Sequence, residues 1–240
     1  MTISQSDQRT CQVIRAGRLD YMAAWAWQRE LAHRRSSGVI GDTLLLLEHP
    51  HTYTLGRATR TGHLLVAPEV LARQGVVLIE SDRGGDITYH GPGQVVGYPI
   101  LKLSHHGGDL QRYLRMLEET LIVVLDSYGV PAGRIAGLTG VWVGEEKIAA
   151  IGVKLSASGV TQHGFALNVT TDLRYFQQII PCGIADKGVT SLERLLGVAP
   201  PQSEVEERIV AAFGTVFGVT MRCEPGSAEM IGGPGVIWNA

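Results

Sequence analysis

The chain of 240 residues lacks the marks of several large protein classes. It has only three cysteines, Cys11, Cys182 and Cys223, odd in number and widely spaced. They supply neither a disulfide framework nor a zinc-finger pattern, and no Cys-x-x-Cys occurs, which disfavours a redox protein. A reducing cytoplasm fits that usage. Charge of one sign is also missing. Lys+Arg total 21 against 23 Asp+Glu, a net charge of −2, so no broad basic field exists to hold nucleic acid. Long hydrophobic runs are absent. The longest aliphatic stretches, LLLL at 44–47 and LIVVL at 121–125, fall far short of the roughly 20 residues that cross a bilayer. The opening MTISQSDQRT has no apolar segment of the kind a signal peptide carries. No Walker-type glycine loop ending in Gly-Lys-Ser/Thr is present. The pairs His49-x-His51 and His105-His106 have no cysteine or carboxylate partners at ligand spacing, so no metal site is expected.

Apolar residues make up 45% of the chain, enough for a sizeable core. With no repeat and no linker, the reading is one domain over 1–224 and a tail, 225–240, without clear period. Residues 11–15 read as a strand. Leu19, Met22, Ala23, Ala26 and Trp27 recur at three and four residues and predict a helix over about 18–34. TLLLLEH reads as a buried strand. APEVLARQG reads as a short helix with Pro68 in its first turn and Gly75 beyond its end. VVLIES and QVVGYPIL read as strands, the second interrupted by Gly97. Leu110, Tyr113, Leu114, Leu117, Leu121, Val124, Leu125 and Tyr128 form one stripe and predict a helix over about 109–128. GVWVGEEKIAAIGVKL predicts a hairpin turning at Gly144-Glu145-Glu146, and QHGFALNV a further strand. Thr190 or Ser191 caps a short helix closed by Gly197. Ser203 with Glu206 reads as a capping box for a helix over about 204–217, and VTMRCE as a last strand. Strands succeed one another over 76–101 and 139–169 with no helix between them. That pattern points to α+β, a mixed β-sheet flanked by helices, rather than a doubly wound sheet.

Three blocks carry possible chemistry. RGGDITYHGPGQVVGYP, residues 83–99, gathers glycine around an arginine, a tyrosine and a histidine. Its Gly-x-Gly-x-x-x-Gly leads into a strand, whereas a dinucleotide-binding loop must open a helix. It reads either as a tight hairpin or bulge, or as a backbone wall against a ligand with Arg83 and His90 as polar fixing points. In IIPCGI, Cys182 stands between Pro181 and Gly183, where a turn exposes a thiol and suits a nucleophile. An inert buried thiol is the other reading, and the one expected for Cys11 and Cys223. In EEKIAAIGVKL, Lys147 is either a solvated lysine near a hairpin turn or an ammonium over an apolar wall. Lys154 competes with it, and strand alternation does not choose between them. His163 precedes a glycine as His90 does, and either satisfies a buried backbone group or lines a site.

Together these blocks resemble the lipoyl(octanoyl) transferases. RGGDITYHGPGQVVGYP is similar to that family's signature, KIAAIGVKL and HGFALNV to its middle blocks, and PCGI to its cysteine block, in the family's order. The resemblance implies a fold shared with biotin and lipoate protein ligases. It implies Cys182 as the acyl-accepting cysteine and Lys147 as its partner. It implies substrate contacts at Arg83, Gly84, Gly85, Asp86, Ile87, Thr88, Tyr89 and His90, at Ala150, Ile151 and Gly152, and at Gly164, Phe165 and Ala166. The implied reaction moves an octanoyl or lipoyl group from the phosphopantetheine of acyl carrier protein, through a cysteine thioester, to a lysine of lipoyl domains. Acceptors of this kind belong to 2-oxoacid dehydrogenases and the glycine cleavage H protein. Exchange between thioesters is near balance and amide formation runs downhill, so no ATP is expected. The alternatives are an ATP-dependent lipoate or biotin protein ligase and a non-catalytic acyl-binding module. Arg57, Arg60 and Arg73 are the candidate contacts for an acidic carrier.

Overall fold

The computed structural model describes residues 9–180 and 187–223, so Cys182 and the tail 225–240 lie outside the described residues. Strand β1 (Thr10–Arg18) leads into helix α1 (Tyr21–Ser36), and Asp20 caps the helix by accepting from the Met22 and Ala23 N–H groups. The leucine run forms β2 (Asp42–Glu48), and β3 (Thr52–Leu55) follows. Next come α2 (Pro68–Arg73), β4 (Val77–Glu80), β5 (Thr88–His90) and β6 (Gln94–Ile100). Helix α3 (Leu110–Asp126) precedes β7 (Gly133–Ile135), β8 (Leu138–Val143), β9 (Glu146–Leu155) and β10 (Thr161–Asn168). A short β11 (Gly188–Val189), α4 (Leu192–Leu196), α5 (Gln202–Phe217) and β12 (Thr220–Arg222) complete the described chain.

The strands form a large sheet in the order β12-β1-β2-β6-β10-β9-β8-β7, with β11 added to β9, and a small sheet β4-β3-β5. Pairing is mixed: β1 is parallel to β2 and β12, while β6, β10, β9 and β8 run antiparallel in turn. The fold is therefore α+β. Strand β2 explains why its leucines run unbroken. Leu44 and Leu46 pack with α3 and α5 on one face, Leu45 and Leu47 with α1 on the other, so both faces are buried and no alternation is visible.

Four expectations are corrected. The glycine segment is not a hairpin, because β5 pairs with β3 in the small sheet while β6 pairs with β2 and β10 in the large one. Gly91-Pro92-Gly93 carries the chain between sheets. Gly97 does not interrupt β6. A Cβ there would lie 2.2 Å from the Phe165 ring, so the glycine makes room for that side chain. Helix α1 buries Tyr21, Ala24, Trp27, Gln28 and Leu31, whereas Met22 is exposed; the alanines at 23, 24 and 26 gave the periodicity no sharp phase. Ser203 and Glu206 form no capping box, since α5 starts at Gln202 after Pro201 with no side-chain cap, and Glu206 instead pairs with Arg15 at 3.3 Å. Strands β3 and β7 were not expected. The hairpin turns as placed, with Glu146 already paired to Val143, and Ser191 rather than Thr190 caps α4.

Candidate active site

Between the two sheets lies a slot with about 740 Å³ of atom-free space, its open mouth included. Its floor is the α1-facing side of the large sheet: Gln94 and Tyr98 from β6, Gly164, Ala166 and Asn168 from β10, Ala150 and Gly152 from β9. Its roof is Arg83, Gly85, Asp86, Ile87, Thr88 and His90. Tyr21 from α1, and Phe176 and Val189, complete the walls.

Glycine lets backbone meet backbone between roof and floor, behind the roof and within the floor. A Cβ on Gly152 would lie 2.9 Å from the Gly84 carbonyl oxygen, and one on Gly56 would lie 2.3 Å from that of Gly85. A Cβ on Gly164 would lie 2.1 Å from the Gly97 oxygen. Backbone therefore packs against backbone at three places around the slot, which only glycine permits. The Gly84 N–H donates to the Val153 carbonyl at 2.9 Å, and Ala58 and Arg57 donate to the Gly85 and Arg83 carbonyls.

Arg83 is buried, and its guanidinium donates to the Thr54 carbonyl at 2.6 Å and the Thr54 hydroxyl at 2.8 Å. Asp86 holds His63 Nδ1 at 2.5 Å and accepts from the Ile87 N–H at 2.6 Å. His90 pairs with Gln94 Oε1 at 2.9 Å, and Gln94 donates onward to Asn168 at 2.9 Å. Burial pushes the His90 pKa well below the ordinary value, with His49 and Arg83 adding to the effect. Burial likewise brings His163 to about 4 despite Asp82 2.8 Å from its Nε2, and His49 to about 4. His49, His90 and His163 are therefore neutral at physiological pH, and the mostly apolar walls of the slot suit an aliphatic ligand.

Lys147 stands at one end of the slot. It is 7% exposed, and its Nζ lies 4.7 Å over the Trp142 ring. The neighbouring glutamates are engaged with other cations, Glu145 with Lys187 at 2.6 Å and Glu146 with Arg194 at 3.2 Å. Lys154, the competitor, pairs with Asp82. Val189 pairs with Lys147 across β11 and β9. A wider groove lined by Arg60, His63, Leu110, Leu114, Leu138 and Thr139 meets the slot at Lys147, Ile151 and Gly152.

The structure thus gathers Arg83, Gly85, Asp86, Ile87, Thr88, His90, Lys147, Ala150, Ile151, Gly152, His163, Gly164, Phe165 and Ala166 around one cavity. Gly84 faces the wider groove. Tyr89 points away, stacked on Tyr175 at 4.7 Å and bonded to His51 at 2.6 Å. Of the other cysteines, Cys11 is buried with its thiol pKa pushed up by that burial, and Cys223 is exposed. Tyr21, Gln94, Tyr98, Asn168, Phe176 and Val189 were not foreseen. Gln94, Tyr98 and Asn168 lie inside the motif blocks, but Tyr21 and Phe176 come from segments with no local signal. Of the histidine pairs, His49 donates to the Leu19 carbonyl and accepts from the Tyr98 hydroxyl, each at 2.7 Å, and His106 lies 2.7 Å from Asp42.

A family model described as the lipoyl protein ligase A/B catalytic domain matches residues 20–214. A Chloroflexus aggregans protein named octanoyltransferase is 59% identical over 211 residues, spanning 87% of this chain and 96% of its own. A Roseiflexus protein of the same name is 54% identical, spanning 87% and 88%. Among solved structures, a lipoate-protein ligase A bound with ATP superposes with a TM-score of 0.74 over 93% of this chain and 92% of its own, at 16% identity. A biotin protein ligase from Aquifex aeolicus in complex with biotin and ATP superposes with a TM-score of 0.54 over 86% and 70%, at 14% identity. At such identities the likeness is one of fold.

Proposed function

The chain belongs to the lipoyl protein ligase A/B catalytic-domain family, and from that premise we propose an octanoyl transfer carried by Cys182 and Lys147. The chain is an acyltransferase acting in protein lipoylation, as its octanoyltransferase relatives indicate. The donor is the thioester of an octanoyl-acyl carrier protein. The Cys182 thiolate adds to its carbonyl carbon, the carbon–sulfur bond to the phosphopantetheine breaks, and the leaving thiolate takes a proton. An acceptor lysine amine of a lipoyl domain then adds to the Cys182 thioester. The cysteine leaves as thiol, and an amide remains. No bond formed needs ATP.

The observation that carries this reading is the mostly apolar slot lined at one end by a buried lysine. Ile180 and Lys187, the described residues on either side of the cysteine block, line a groove with Glu146 and Val189 next to that lysine. A lysine there can serve in two ways. As ammonium it stabilises a thiolate and protonates the leaving sulfur; as amine it takes a proton from the attacking nucleophile. The cytoplasm is the compartment that fits a free catalytic thiol, and Arg57 and Arg60, both exposed, flank the wider groove as contacts for an acidic carrier.

Intact mass of the protein mixed with octanoyl-acyl carrier protein, with and without ATP, tests the reading. One octanoyl adduct forms without ATP, and Cys182→Ser abolishes it. An adduct of equal yield on the variant, or modification of a lipoyl domain only from free octanoate and ATP, overturns it in favour of a ligase. Binding of the acyl-protein with no turnover makes the chain a non-catalytic acyl-binding module.

A further inference from the structure

The slot has two ends along β10. His163 is level with Val153 on β9, six positions from Lys147, or roughly 20 Å at the rise of a strand. It is the one non-glycine residue at positive φ among the described residues, at 56°. Its side chain is 1% exposed. Its backbone N–H donates to Gln28 Oε1 at 2.8 Å, and its Nε2 lies 2.8 Å from Asp82 Oδ1. A neutral imidazole that donates through Nε2 to a carboxylate presents Nδ1 as a bare acceptor.

That Nδ1 is buried and has no hydrogen-bond partner among the described residues. The nearby Tyr98 hydroxyl is committed to His49. Beside it, Trp25 Nε1 and Gln28 Nε2 are donors that also lack partners among the described residues. An unpaired buried polar atom and a left-handed backbone both cost free energy. The sheet does not require either, because β10 keeps its register with β9 on both sides of His163. Of these residues His163 lines the slot, and an unpaired acceptor on it matches a ligand whose far tip is a hydroxyl or thiol.

Resting on the octanoyl-transfer reading, we propose that the His163 end is a subsite for the tip of the acyl chain, where Nδ1 accepts a hydrogen bond from a terminal O–H or S–H. The enzyme then takes medium acyl chains bearing a terminal hydroxyl or thiol as well as plain aliphatic ones. The test compares kcat/KM for 8-hydroxyoctanoyl- and nonanoyl-acyl carrier protein, which differ by a hydroxyl against a methyl at the tip. The wild type uses the hydroxyl chain at least as well as the isosteric hydrocarbon. His163→Phe, and His163→Asn, which tolerates the left-handed backbone, shift the ratio toward nonanoyl by about tenfold. A wild type that favours nonanoyl overturns the proposal, as do variants that keep the wild-type ratio. Should both variants fail to fold, the wild-type ratio decides by itself. Octanoyl has no tip donor, so failure to transfer octanoyl overturns the underlying reaction and this subsite with it.

Discussion

Gly164 shows how one missing carbon shapes the slot. A Cβ there meets the Gly97 carbonyl oxygen, and backbone within a sheet cannot yield as a side chain can. Gly164→Ala is expected to destabilise the fold by about 1–3 kcal/mol, visible as a lowered midpoint in urea, and to impair octanoyl transfer with it. An unchanged midpoint means the sheet opens more easily than its geometry implies. Lys147 tests the chemistry at the same scale. Lys147→Ala should cut kcat about hundredfold and move the pH profile of Cys182 alkylation upward. An unmoved profile separates the lysine from the thiol. At this scale the motif blocks were informative because their chemistry is local. Glycines, histidines and a lysine of those blocks line the slot, while Tyr21 and Phe176 join it only through distant pairings.

Helix α1 is the element whose face could not be phased from its residues. Small alanines on several sides blur the periodicity, and the sheet beneath selects Trp27 and Leu31 for burial. Leu31→Ala should cost about 2–5 kcal/mol, whereas Met22→Lys, on the exposed side, should stay within about 0.5 kcal/mol. Denaturant midpoints of the two variants compare these directly; equal losses would reverse the assigned face. Strand β3 went unseen for a related reason. Thr52–Leu55 is only four residues long, and its partners β4 and β5 come from later in the chain. Helix α3, by contrast, was legible because its stripe is long and aliphatic, although Leu110 and Leu114 of that stripe face the wider groove.

The whole molecule carries a pH dependence that no single element owns. His49 and His163 sit near 4 in the fold against an ordinary 6.5, burial being the largest cause. Above about pH 6.5 neither the folded nor the unfolded chain protonates them, and stability is full. As pH falls from there toward 4, the unfolded chain binds protons the folded one refuses. Each histidine then removes up to about 1.4 kcal/mol per pH unit. Urea denaturation at about pH 7 and pH 5 should show the loss, and His163→Asn should make it shallower. Equal stability at both values would mean these imidazoles protonate in place.

The residues alone determined the class of fold and the blocks that meet around the slot, since motif spacing and hydrophobic period are properties of adjacent residues, and the resemblance of those blocks to a known family pointed to octanoyl transfer. The tertiary structure decided which face of α1 is buried, that β5 and β6 part into different sheets, that Tyr89 turns away, and that His163 keeps an unpaired nitrogen. Those outcomes depend on contacts between segments far apart in the chain, where burial and backbone packing outweigh any local preference.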